Sequence, residues 1–157
     1  MPFQKSLYNL ANRPKFISAC EKFRERITRI PSTYLGDIYD GRIWHSFSSP
    51  TGHSFLSAPL SYLLTLNVDW FQPFLHTAYS VGAIYLTIQN LPRNVRYKEE
   101  NIILVGIIPG QNEPSLTINL YLSPLVEELK EGWDKGFAVK TSECNSSYSS
   151  GIDMYFM

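Results

Sequence analysis

Residues 62–69 read YLLTLNVD, a short apolar and β-branched run that closes on Asp69. With Leu or Val at half of its positions, the run suits a strand buried on both faces. Asp69 is the only full charge between Ile43 and Pro92. An unpaired carboxylate is costly to bury, so an Asp ending an apolar strand calls for a partner: a backbone N–H, an Arg or a metal. The plainer alternative is that Asp69 caps the turn from Asp69 to Phe74 by accepting backbone N–H groups. Pro73 breaks the run.

Downstream, Tyr79 to Ile88 (YSVGAIYLTI) alternates aromatic and branched residues as a central strand would. Gln89 to Asn101 contains Pro92 and five charges, which predicts a solvated connection. Ile102 to Ile108 (IILVGII) reads as a third strand, stopped by Pro109-Gly110. Connections this short predict an antiparallel meander, because parallel neighbours need a crossover of roughly a dozen residues or more. A helix follows, with Leu122, Leu125, Val126, Leu129 and Trp133 as one apolar stripe. Pro124 is placed in its first turn, Glu127 and Glu128 near its positive end, and Gly136 at its stop. After that crossover, Phe137 to Val139 could begin a fourth strand in parallel. Beyond Thr141 the chain is Ser-rich and then apolar, with no clear period.

Upstream, Pro14 could open a helix in which Phe16, Ile17, Cys20 and Phe23 share a face, ended by Pro31. Tyr34 to Phe47 mixes aromatics with a turn at Asp40-Gly41, and Ser48 to Gly52 is a loop by composition. The expected organisation is a basic N-terminal arm and connector over residues 1–60, an α/β domain over 61–141 and a divergent tail over 142–157. A chain of 157 residues suffices for one such domain with a hydrophobic core.

The formal net charge is zero, so total charge makes no case for nucleic acid. Its distribution is uneven: residues 1–42 hold eight Lys or Arg against four Asp or Glu. A basic leading segment could lie along a phosphate backbone, although a solvated helix face explains it as well. Cys20 and Cys144 belong to no C-x-x-C pair, which excludes a zinc ribbon and fits a reduced, intracellular compartment. No stretch has the roughly 18–20 apolar residues that a membrane span requires.

Other candidate groups are weaker. Asp37 and Asp40, with His45 close behind, could converge on a cation, though Asp40-Gly41 is more often simply a turn. His45, His53 and His76 form no metal-binding pair, and no Ser-His-acid triad can be read. Trp44, Trp70, Tyr79, Tyr85 and Trp133 offer stacking faces, with core packing as the default.

Four stretches taken together resemble a known family. These are LNVDWFQPF (66–74), YSVGAIYLTIQNLPR (79–93), NIILVGIIPGQNEPSLTIN (101–119) and YLSPLVEELKEGWDKGF (121–137). They are similar, in unbroken order, to the transposase of CACTA-type DNA transposons, and YLGDIYDGRIW (34–44) resembles the lead-in of fungal and invertebrate relatives. The resemblance implies an RNase-H-like fold of the DDE superfamily, cut-and-paste transposition of DNA, and an acidic triad that binds Mg²⁺. It puts Asp69 on the first catalytic acid and metal ligand. It also implies transposon-end DNA as partner, a nuclear location and no small-molecule cofactor. Trp70 stands where the family commonly has Gly, and Gln111 where it has Pro. After Thr141 the family's Asp-x-Pro-Ala element, which carries the second acid, is not matched, and GIDMYF around Asp153 does not replace it. The resemblance therefore implies a truncated copy, inactive alone. The alternative is a regulatory or assembly module that pairs with a full-length transposase through an open sheet edge.

Overall fold

The computed structural model of the protein describes residues 2–22, 35–46, 58–76, 78–110, 117–139 and 153–156. In chain order its elements are helices α1 (Pro2–Ala11) and α2 (Phe16–Glu21), a 3-10 turn (Ile38–Asp40), α3 (Arg42–Ser46), strands β1 (Ser61–Phe71) and β2 (Ser80–Ile88), the short α4 (Arg93–Arg96), a second 3-10 turn (Glu99–Asn101), β3 (Ile102–Gly110), α5 (Ile118–Lys135) and β4 (Asp153–Phe156).

The four strands make one sheet in the order β3-β2-β1-β4. β1, β2 and β3 form the antiparallel meander that their short connections require. β4 lies against the other side of β1 and runs parallel to it, with Ser61 opposite Asp153 and Leu64 opposite Phe156. The fourth strand is therefore not at Phe137 to Val139, where the residue pattern put it. Gly136 turns the chain there with φ 69, a left-handed value that suits Gly. Phe137 then packs into the core, edge-on to Phe3 at 5.6 Å, and makes a single bridge rather than a strand.

One sheet face carries the core. Tyr62 and Leu64 from β1, Ile84, Leu86 and Ile88 from β2, and Ile103 and Ile108 from β3 pack with Phe3, Leu7 and Leu10 of α1, Phe16, Ile17 and Cys20 of α2, and Leu125 and Leu129 of α5. α1 was not anticipated, although Phe3, Leu7, Leu10 and Ala11 have helical spacing. α2 was anticipated from Pro14 onward; the expected continuation from Phe23 to Pro31 lies outside the described residues. Both helices come from the stretch expected as an arm, and both are structural parts of the domain.

α5 begins earlier than expected, so Pro124 lies well inside it and not in its first turn. Pro has no N–H to give the carbonyl of Leu120. Leu120 and Pro124 are both exposed, so water can satisfy that carbonyl, and the Ser123 hydroxyl donates to the neighbouring Asn119 carbonyl. The expected stripe is displaced: Leu122, Leu125 and Leu129 do face the core, but Val126 and Trp133 are on the exposed side, and buried Glu128 and Gly132 complete the inward face. Glu128 accepts the Gln4 N–H at 2.8 Å, capping the first turn of α1.

Two polar devices hold the far end of the meander. The amide of buried Asn90 stands in for a peptide group: it accepts the Leu63 N–H at 2.8 Å and donates to the Ser61 carbonyl at 3.0 Å. Arg96, also buried, forms a two-pronged ion pair with Asp37 and donates to the Leu91 carbonyl. Tyr39 sets its hydroxyl within 2.7 Å and 2.8 Å of the Gln89 and Leu91 carbonyls. The 35–46 segment is thereby fastened to the connection between β2 and β3, which is not merely a solvated loop.

Candidate functional site

Side chains of a strand alternate between faces, so β1 sends Tyr62, Leu64 and Trp70 toward the helices and Asn67, Asp69 and Phe71 to the opposite face. Trp70 reaches the core side by lying over Gly82, its partner on β2. A Cβ on Gly82 would come within 2.7 Å of the indole ring. Trp70 is thus matched by a Gly across the strand pair.

On the opposite face Asp69, Ala83 and Ile107 form one row across β1, β2 and β3. Asn67 and Tyr85 lie on one side of that row, Phe71 and Val81 on the other. The face is closed near Ser61, Leu63 and Thr87, all buried, and open around Asp69: Phe71 is 51 % exposed, Leu104 55 % and Ile107 58 %. β1 is consequently buried on both faces only over its first four residues.

Asp69 itself is exposed. The reason first given for a partner, the cost of burying a carboxylate, does not apply to it. Its Oδ1 accepts the adjacent Trp70 N–H at 2.9 Å, a local bond made within β1. Among the described residues, no three His, Cys, Asp or Glu side chains lie together in a way that could hold a metal ion.

The other candidates resolve differently. Asp37 and Asp40 do not face a common cation. Asp40 accepts the N–H groups of Gly36 and Asp37, while Asp37 accepts that of Ile38 and pairs with Arg96, so both carboxylates are committed within the fold. His53 lies outside the described residues, and His76 is exposed. Trp44 is buried, Trp70 packs against the core, Tyr79 and Tyr85 are half-buried, and Trp133 is 37 % exposed. Burial, reinforced by the charge of Glu21, pushes the Cys20 thiol well above its ordinary range, which makes it an inert core residue rather than a nucleophile.

Asp153 cannot join Asp69. It is level with Ser61 on the parallel strand, eight positions short of Asp69. At ~3.3 Å per residue that is roughly 26 Å along the sheet.

Comparison with known proteins gives the class of molecule. Residues 33–154, more than half of the chain, match the family described as Transposase family tnp2, and the chain belongs to that transposase family. The match covers β1 through β3, α5 and the start of β4, together with the 35–46 segment. No curated protein and no solved structure matches the chain. No helix among the described residues is long and apolar enough to cross a membrane.

Proposed function

We propose that the chain is the first part of a DDE-type transposase catalytic domain of the CACTA kind, in which Asp69 is the first acid and DNA in the nucleus is the substrate. The observation that carries this reading is the position of Asp69 near the end of the first strand of a meander whose next strand, after a helix, returns parallel beside it. That order of strands is the one expected for the front half of an RNase-H-like sheet, and it supports this reading. Membership in a transposase family supports it independently.

Mg²⁺ is the ion this reading implies, and on the described residues it does not fit. Two-metal phosphoryl transfer needs several carboxylates around ions ~3.5–4 Å apart. Asp69 is one carboxylate, and Asp153 stands at the wrong level of β4. A carboxylate eight residues farther along a strand in the same register would be level with Asp69. On this reading the described residues hold DNA without gathering the carboxylates that cutting requires. Incubation with supercoiled DNA and Mg²⁺ or Mn²⁺ tests that: the proposal expects no nicked product, and nicking that survives Asp69→Asn would place the chemistry elsewhere.

The second reading, a non-catalytic module that pairs with a complete transposase, draws on β4 forming the end of the sheet. Among the described residues no strand pairs with its outer edge, and such edges accept another chain. Failure to co-purify with a full-length family member would count against it.

A further inference from the structure

We propose that two clefts beside the connection between β2 and β3 bind the phosphate backbone of a nucleic acid, at the end of the sheet remote from Asp69. The proposal rests on DNA as the substrate but concerns a different surface from the Asp69 face.

The first cleft, about 590 Å³, is lined by Lys22, Asp37, Tyr39, Asn90, Arg93 and Asn94. The acid among its described lining residues, Asp37, is neutralised because both its oxygens are held by Arg96. Lys22 and Arg93 then set its sign. Both are exposed, and Arg93 is oriented by donating one N–H to the Gly36 carbonyl at 3.0 Å. A guanidinium has five N–H donors, so this bond fixes the group and leaves donors for an anion.

The second cleft, about 430 Å³, is lined by Arg13, Lys15, Ala19, Glu100 and Asn101 among others. Arg13 is likewise fixed by main chain, donating to the Glu100 carbonyl. Among its described lining residues Glu100 is the one acid, against Arg13 and Lys15.

α2 joins the clefts. Lys15 at its start, Ala19 in its middle and Lys22 at its end line them in turn, with small Ala19 between the two cations. Lys15 and Lys22 flank the six residues of α2, a separation of ~10 Å at ~1.5 Å per residue. A polymer with repeating phosphates can meet cations at both ends of that face, whereas a single small anion reaches one. The surface is also well away from Asp69: Gln89, where the connection starts, bonds Leu63, which is six residues and ~20 Å along β1 from Asp69.

The test is fluorescence anisotropy of a short labelled DNA duplex with the whole protein, titrated between roughly 50 and 200 mM salt. Wild type binds with salt-dependent affinity. Lys22→Ala with Arg93→Ala weakens binding about five-fold or more and lowers the salt slope by about 1–2, one counterion per lost contact. Lys22→Glu, a reversal at an exposed site, weakens it further than Lys22→Ala, Arg93→Lys retains most of it, and Lys130→Ala, at an exposed cation of α5 outside both clefts, binds as wild type. Wild-type affinity in both Lys22→Glu and the double variant overturns the cleft proposal while leaving DNA as substrate. Loss of binding in Lys130→Ala alone moves the contact to α5 and overturns it too. A thermal shift with inorganic phosphate but no duplex binding makes the clefts a small-anion site and overturns the backbone assignment.

Discussion

Asp37 and Arg96, 59 residues apart in sequence, meet in a two-pronged ion pair at 2.9 Å and 3.1 Å with side chains 6 % and 2 % exposed. The guanidinium also lies 5.1 Å from the centre of the Tyr39 ring. A segment that precedes the sheet is thus locked to the turn that joins two of its strands. The pair's geometry is good and the Nε–H of Arg96 finds the Leu91 carbonyl, both of which help a buried pair offset its desolvation.

Removing one partner leaves the other charged and buried. Asp37→Ala and Arg96→Ala should each lower unfolding free energy by ~3–5 kcal/mol, while the double variant should lose distinctly less than the sum. Urea unfolding of the four proteins measures the coupling. Additive losses would show that the two side chains do not interact.

Tyr39 gives the region a pH signature. Burial, only partly opposed by Arg96, pushes its hydroxyl up to about 12. The folded state therefore keeps a proton that the unfolded chain loses from about pH 10, so this contribution to stability is intact below pH ~10 and is lost as pH rises toward ~12. Tyr39→Phe should flatten the fall in thermal midpoint over that interval. An unchanged profile would assign alkaline unfolding to other groups, Cys20 first.

Asn90 explains why an Asn-Leu-Pro turn suits this place. Its amide both donates to and accepts from β1, a combination that neither Asp nor Leu offers. Asn90→Ala leaves a buried N–H and a buried carbonyl without partners and should cost about 2–4 kcal/mol by chemical denaturation. Asn90→Asp should not restore it.

Gly132 is required by Phe137. A Cβ at Gly132 would come within 2.0 Å of the Phe137 ring, so Gly132→Ala should displace Phe137 from the core and cost about 1–3 kcal/mol. Combining it with Phe137→Ala should add little beyond the Phe137→Ala loss alone. Calorimetry of the three variants decides this.

The meander and α5 were legible because their signals are local: β-branched runs bounded by Pro92 and by Pro109-Gly110, then apolar residues at helical spacing. The fourth strand was not, because Phe137 to Val139 has strand-like composition while the deciding feature is the reversal at Gly136 and the pull of Phe3 and Gly132 on Phe137. DMYF at Asp153–Phe156 is too short to announce itself; it is a strand because β1 offers an edge. Asp69 stands out as a charge anomaly, but its exposure depends on what covers the sheet face opposite the helices, which spacing along one strand does not encode. Arg96 was missed. It looked like one of five charges in a solvated connection, and only the return of Asp37 across 59 residues makes it a core residue.

The central claim is that a transposase-type sheet carries Asp69 beside a fourth strand parallel to β1. Nuclear Overhauser contacts between backbone protons of the outer edge of β1 and its neighbour test it most directly. The account predicts parallel contacts pairing Leu63 with Tyr155 and Leu64 with Phe156. Contacts from β1 to Phe137–Val139 in their place, or an antiparallel pattern with residues 153–156, would contradict it and remove the geometric support for Asp69 as the first acid.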